Sequence, residues 1–357
     1  MTDSSSFSNS LDIENLKVAI VLPVYNVAPY LAECIDSIFA QTHQNFVVFA
    51  VDDGSTDGSG KILDEYACKS PKIVLIRQRN SGLGAARNVA LDKIEEDGTF
   101  DYVSFVDSDD RCRPDFLEKL LRSAHKYTAE IVFCSFFDIV DNSEVDDGLM
   151  KPEHILDRDE FVEALFSQLR WKGFNGAGGM VWKAIFQADL VRKIRFPSER
   201  WITEDEVYSI QTACNCHRIA YVPERLYGYR RRSGSLLGNP DAHCYLYEAR
   251  RRCIPIAASI SNASLLIATS ACIEIAIHLI KHEGKYHLMK ELPNYRPEVI
   301  RATSQGVLSA KHYKQFLFYC NFGKTARIYL EYRRIVKYLQ DICRNFRKRM
   351  LQKSKVA

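Results

Sequence analysis

The chain has 357 residues, a formal net charge of +3, 46% hydrophobic residues and 26% charged ones. That balance excludes a disordered, collagen-like or disulfide-framework protein, and the length suits a larger catalytic domain followed by a smaller, separately packed part. The charge is uneven: Lys311–Ala357 holds 13 Lys or Arg against Glu331 and Asp341, a local +11 that leaves −8 on the rest.

Residues 1–16 read as a flexible N-terminus. Met1–Ser10 is polar and Ser-rich, without the basic and apolar regions of a secretory signal. The 11 Cys, scattered from Cys34 to Cys343, show no C-x-x-C pair and no zinc-like spacing. Reduced thiols in a cytoplasmic protein are the expectation.

From Lys17 to Phe137 short β-branched runs alternate with helical stretches, the pattern of a Rossmann-like, mostly parallel, doubly wound α/β sheet. The runs predict strands at Val18–Leu22, Phe46–Val51, Ile73–Arg77, Tyr102–Val106 and Ile131–Phe136. Helices fall between them: Leu31, Ile35, Ile38 and Phe39 form one apolar face, Gly82–Lys93 forms another helix, and Pro114 opens a third. A helix is expected from about Asp159 to Leu169, then a glycine-punctuated loop through Gly173, Gly176, Gly178 and Gly179 that could close over a substrate. Residues 17–239 read as the catalytic domain, with halves 17–137 and 138–239. Residues 240–357 read as all-helical, with a break near Pro293–Pro297. Cys253–Ile273 contains no Asp, Glu, Lys or Arg. It is long enough to span a bilayer but polar enough that buried helices are the expectation. In the last helix Ile328, Tyr332, Ile335, Leu339, Ile342 and Phe346 recur at 3-4 spacing among Lys and Arg. That stretch fits packing on the catalytic domain, a helix pair with another subunit, or an anionic membrane surface, and the last is preferred.

Ligands of such sheets bind outside the carboxyl ends of the strands, and there the polar residues collect. Pro23, Tyr25 and Asn26 follow the first strand, Asp52 and Asp53 the second, and Asp107, Ser108, Asp109 and Asp110 the fourth. A single Asp at such a place is explained by capping or turn formation; three clusters at one edge point to a cation or a ligand with donors to offer. Asp107-Ser108-Asp109 supplies carboxylate oxygens for a hard divalent cation, Mn or Mg, while leaving positions for water and phosphate. Asp53 could accept the imino N–H of a uracil or thymine ring. Ser81-Gly82-Leu83-Gly84 is a small-residue helix entry that lets a ligand approach the backbone, with Arg87 available to phosphate or base.

Taken in order, Pro23-Val24-Tyr25-Asn26, Val51-Asp52-Asp53-Gly54-Ser55-Thr56-Asp57, Asn80 to Asn88 and Val106-Asp107-Ser108-Asp109-Asp110 resemble the inverting, GT-A-fold glycosyltransferases of family 2. The resemblance implies that Pro23, Tyr25 and Asp53 surround base and ribose, that Asp109 ligates the metal, and that Asp107 supports ribose, metal or sugar. Thr203-Glu204-Asp205-Glu206 resembles the family segment whose Asp is the general base, which makes Asp205 the catalytic candidate. The alternative for Asp205 is a helix N-terminal carboxylate facing the macrodipole. Tyr229 to Ser235 resembles the segment ending the catalytic domain, so Arg230, Arg232 and Ser235 are expected at the diphosphate, with surface pairing as the alternative. The implied partners are a nucleotide-sugar donor, UDP-linked by preference, and a saccharide or lipid-linked saccharide acceptor of a bacterial surface glycan. No nucleic acid is expected. The implied location is cytoplasmic, peripheral on the inner face of the membrane. A non-catalytic glycan-binding protein and a sugar-nucleotide pyrophosphorylase are the competing readings. The pyrophosphorylase needs an early triphosphate loop that Val24–Tyr30 does not supply.

Overall fold

The computed structural model describes residues 13–145, 153–166, 181–197, 203–232, 241–321 and 330. It divides into two compact units, Met1–Ala268 and Thr269–Ala357.

In the first unit the order is β1 (Val18–Val24), α1 (Ala28–Phe39), β2 (Phe46–Asp52), α2 (Ser59–Lys69), β3 (Ile73–Arg77), α3 (Leu83–Asp97), β4 (Tyr102–Phe105), β5 (Arg111–Cys112), α4 (Phe116–Tyr127) and β6 (Ile131–Val140). There follow β7 (Ser143–Val145), β8 (His154–Leu156), α5 (Arg158–Phe166), β9 (Ala184–Gln187), α6 (Ala188–Val191), α7 (Glu204–Asn215), β10 (Ile219–Arg230) and α8 (Ala242–Ile260). The strands make one sheet in the order β3-β2-β1-β4-β9-β6-β10-β5, with β7 beside β6 and β8 beside β10. Pairs β1–β2, β1–β4, β2–β3 and β6–β10 are parallel; β9 runs antiparallel between β4 and β6.

β1 explains why the sheet has two covered faces. All seven of its residues are buried, as an unbroken apolar strand between two layers requires. Val18, Ile20, Leu22 and Val24 point to one face, where Leu31, Ile35 and Ile38 of α1 and Leu117, Leu120 and Leu121 of α4 meet them. Ala19 and Val21 point to the other, against Ala86, Ala90, Leu91 and Ile94 of α3 and Tyr208 of α7. The period of two in the strand thus assigns each helix to its side.

The five expected strands and the helices between them are present. β5, β7, β8, β9 and β10 were not foreseen. β10 hides because Pro223 and Glu224 interrupt it, and the register to β6 shifts between Val222 and Tyr227. The bulge breaks the alternation by which a strand is read. The compact unit that holds the sheet runs on to Ala268 and includes α8, which packs on α7: buried Arg250 donates to Glu206 of α7 at 3.3 Å, and Tyr247 and Cys253 are buried with it.

Cys253–Ile273 is not one span. It is the end of α8, an extended residue at Ser261, and the start of α9 (Asn262–His278). By length and composition the stretch Asn262–Glu283 could cross a bilayer, but 72% of its apolar window is buried within the protein. The second unit continues through the rest of α9, a π turn at Leu279–Glu283, short 3-10 turns at Tyr286–Lys290 and Leu292–Tyr295, and α10 (Arg296–Ser304). Pro293 and Pro297 each sit in the first turn of the segment they open, the place where a missing N–H costs nothing. The expected glycine loop through Gly173–Gly179, Ser235 and, apart from Leu330, the expected basic helix from Ile328 onward lie outside the described residues. The ten described cysteines form no disulfide with one another.

Candidate active site

The register of β1 with its neighbours sets the site. Val24 stands opposite Asp52 and Val21 opposite Phe105, so Tyr25, Asp53 and Asp107 all emerge at one edge. Pro23 fits there for a backbone reason. The Val21 carbonyl accepts from Val106 N–H, so the N–H side of residue 23 faces β4 beyond the last β1–β4 pair, where a proline removes no ladder bond. Tyr25 is 47% exposed, a flat ring presented to solvent at the strand exit.

The loops after β1 and β2 hold each other. Asn26, in the left-handed region at φ 51°, accepts from Thr56 N–H at 2.8 Å, and its own N–H donates to Ser55 Oγ. Asp57 accepts from Ala28 N–H and Ser59 Oγ accepts from Val27 N–H. The first turn of α1 is therefore capped from the neighbouring loop rather than by its own residues. Asn26, expected at the ligand, is a tie between loops.

Of the acidic residues at the edge, three are occupied by the protein itself. Asp52 accepts from Ser55 N–H and shapes the turn. Asp53, 3% exposed, accepts from Gln78 Nε2 at 2.7 Å, Ser81 N–H at 2.7 Å and Gly82 N–H at 2.9 Å. It thereby builds the entry to α3, where Gly82 takes φ 98°, a conformation that suits glycine. Asp110 is buried, accepting from Arg230 N–H and from Tyr227 Oη–H. The Tyr227 hydroxyl in turn accepts Asp107 N–H at 3.0 Å.

Asp107 and Asp109 keep part of their surface, with side chains 22% and 21% exposed, and Ser108 between them is buried. Asp107 uses Oδ1 to accept from Arg87 at 2.8 Å, and Asp109 uses Oδ2 to accept from Arg232 Nε at 2.6 Å. Each carboxylate retains an oxygen that no described residue engages, so the pair fits a hard divalent cation in the chemistry of its donors.

Arg87 does not face the open edge. It is 2% exposed, donates to Glu204 at 2.7 Å and to Asp107 at 2.8 Å, and lies 5.1 Å from the Phe196 ring centroid. A buried guanidinium held on two carboxylates positions them. Arg230, also expected at the diphosphate, is likewise held by the protein. It is buried, donating to the Asp109 carbonyl, Asn142 and Glu33 while stacking over Tyr30. Arg232, two residues beyond the end of β10, is part-exposed and reaches Asp109.

The run Glu204-Asp205-Glu206 opens α7 behind Thr203, a β-branched residue at φ 74°. Its three carboxylates part ways. Glu204 goes to Arg87, Glu206 to Arg250, and among the described residues no cation pairs with part-exposed Asp205, whose Oδ1 accepts only the neighbouring Glu206 N–H. Burial pushes the Asp205 carboxyl well above the usual range; Glu204 adds to this and Arg87 opposes it. Burial likewise raises Asp107, again against Arg87. The Lys183 ammonium is buried near the rings of Phe136 and Trp182, and burial pushes it down to about 8.

Tyr227, Glu204 and Arg250 escaped the sequence reading. Tyr227 lies on the bulged strand, and nothing local in the sequence tells Glu204 and Glu206 apart from Asp205.

The model of the family described as "Glycosyl transferase family 2" matches residues 19–192. Residues 19–192 form a domain of this family. It is 33% identical over 224 residues to glycosyltransferase GlyA of Streptococcus pneumoniae, covering 62% of this chain and 31% of that protein. To the uncharacterized glycosyltransferase EpsJ of Bacillus subtilis it is 30% identical over 226 residues, 62% of this chain and 63% of the relative. The alignments thus span less than two thirds of either relative. Among solved structures, S. aureus TarS 1-349 superposes with a TM-score of 0.66 at 18% identity, covering 88% of this chain and 89% of that one. TarS 1-349 in complex with UDP-GlcNAc gives 0.65 at 19%. At such identity the likeness establishes the fold, a GT-A arrangement, as expected from the sequence.

Proposed function

We propose that this family 2 domain transfers a sugar from a UDP-linked donor to a hydroxyl of a growing bacterial surface glycan or lipid-linked saccharide, by single displacement with inversion. The observation that carries it is Asp205, a part-exposed carboxylate with no ion-pair partner among the described residues, flanked by two acids that each have one. Support for a UDP donor comes from the TarS neighbours, which were solved with UDP-GlcNAc and with UDP.

Pro23, Tyr25 and the Asp53-held turn at Ser81-Gly82 form the floor for base and ribose, and Asp107 and Asp109 face the diphosphate. A divalent cation held by those two carboxylates would neutralise charge on the departing nucleoside diphosphate. Asp205 takes the proton from the acceptor hydroxyl. The acceptor oxygen forms its bond to C1 as the C1–O bond to the diphosphate breaks, and the electron pair leaves with the nucleotide. An approach opposite the leaving group inverts the anomeric centre. A carboxyl raised by burial is a stronger base than an ordinary Asp, which suits proton abstraction near neutral pH.

Asp205→Asn should retain UDP-sugar binding in calorimetry while transfer falls by a factor on the order of 10²–10⁴. Asp109→Ala should weaken donor binding as well. Wild-type turnover in Asp205→Asn would reject the base, and absence of any turnover across a panel of donors and acceptors in the wild type would favour a binding protein.

A further inference from the structure

The two carboxylates at the open edge are held differently. Asp107 is paired with Arg87, which is 2% exposed and fixed at its other end by Glu204. Asp109 is paired with Arg232, whose side chain is 24% exposed and whose Nε–H donates to Asp109 Oδ2 at 2.6 Å, its guanidinium carbon 5.6 Å from the Tyr30 ring centroid. Arg230, two residues earlier, fixes the loop itself, through Asp110 Oδ1 and the Asp109 carbonyl. The loop therefore does not depend on Arg232 for its shape.

We infer that Arg232 is a resident counter-cation of Asp109, which must release that carboxylate before a divalent ion can be fully ligated there, and that the donor's diphosphate receives the freed guanidinium. This rests on the reading that Asp109 takes the cation. Three points carry it. An arginine on one oxygen of the candidate ligand supplies the positive charge that a metal on the other would supply, so the two cations repel across one carboxylate and compete for it. A pair of this exposure is weak enough to exchange, unlike the buried Arg87 pair. A guanidinium leaving a carboxylate needs another anion in reach, and a planar fork matches a diphosphate well. Arg232 thus ties the two binding events together: the cation is disfavoured without the donor, and the donor is favoured once Arg232 is free. By linkage each must strengthen the other by the same factor.

The test is Mn²⁺ affinity, read by electron paramagnetic resonance with and without UDP. In the wild type, UDP should tighten Mn²⁺ binding about tenfold or more, within the usual range of coupling. Arg232→Gln should bind Mn²⁺ alone about fivefold more tightly, the scale of a part-exposed ion pair removed, and UDP should then add less than it does in the wild type. Arg232→Lys, which keeps the charge but not the Nε–H geometry, should fall between the two, and it carries the test if the Gln variant does not fold. Equal or weaker Mn²⁺ binding in folded Arg232→Gln overturns the inference. Asp109→Ala separates the two levels: loss of Mn²⁺ binding there with no effect at Arg232 rejects the exchange alone, whereas unchanged binding in Asp109→Ala rejects the metal reading itself.

Discussion

At the scale of single residues, the base proposed at Asp205 would carry a stability cost. Its carboxyl is raised by burial and by Glu204, so in the folded chain it holds a proton to a higher pH than it would unfolded. The acid limb of kcat/KM should therefore lie above the ordinary carboxylate range, and activity should be lost as pH falls through the raised value. The sign for stability is the reverse. A raised carboxyl favours the fold below its unfolded pKa, and that contribution is lost as pH rises through the folded one. Asp205→Asn should accordingly unfold at higher urea than the wild type above that range, by about 1 kcal/mol, and show no advantage in acid. An inactive variant no more stable than the parent at any pH would mean that the carboxylate is not strained by its surroundings. Thr203 adds a backbone cost at the same spot, since a β-branched residue at φ 74° is a steric outlier.

At the scale of elements, the approach of α3 to the segment before α7 decides whether Arg87 can reach Glu204. Gly84 makes that approach possible: a Cβ there would stand 2.8 Å from the Pro197 carbonyl and 3.3 Å from Phe196 Cβ. Gly84→Ala should cost about 1–3 kcal/mol in urea unfolding, because backbone, not a flexible side chain, has to move. It should also slow transfer by displacing Glu204 and its neighbour. Neutral stability would show that the 196–197 segment yields easily. The parallel half of the sheet was legible in the sequence because each of its strands is a β-branched run followed by a helix with a clear apolar face. The strands β5 and β7 to β10 were not, since they are short, antiparallel or bulged and owe their pairing to distant segments. The site divided along the same line. Which residues gather at the edge was readable from their positions after strands. Which of them serve the protein rather than a ligand was not, because Asp53, Asn26, Arg87 and Arg230 are claimed by partners from 25 to nearly 200 residues away.

For the whole molecule, the donor reading makes a thermodynamic demand. A ligand that binds only the folded chain stabilises it by about 2.7 kcal/mol at a hundred times its dissociation constant. A UDP-sugar with Mn²⁺ should therefore raise the melting temperature of the full chain by several degrees, with a smaller rise when Mn²⁺ is omitted and none from a sugar alone. Equal shifts from GDP- and UDP-sugars would count against a site built for uracil.

The mutual capping of the loops at Asn26 and at Ser55–Ser59 bears on any attempt to change donor preference by exchanging segments with a relative. Neither stretch is an independent module. A transplanted 24–28 segment would arrive without the foreign serine and aspartate that finish its helix, and would leave the host's Thr56 amide without an acceptor. Specificity at this edge should move only when both stretches are grafted together.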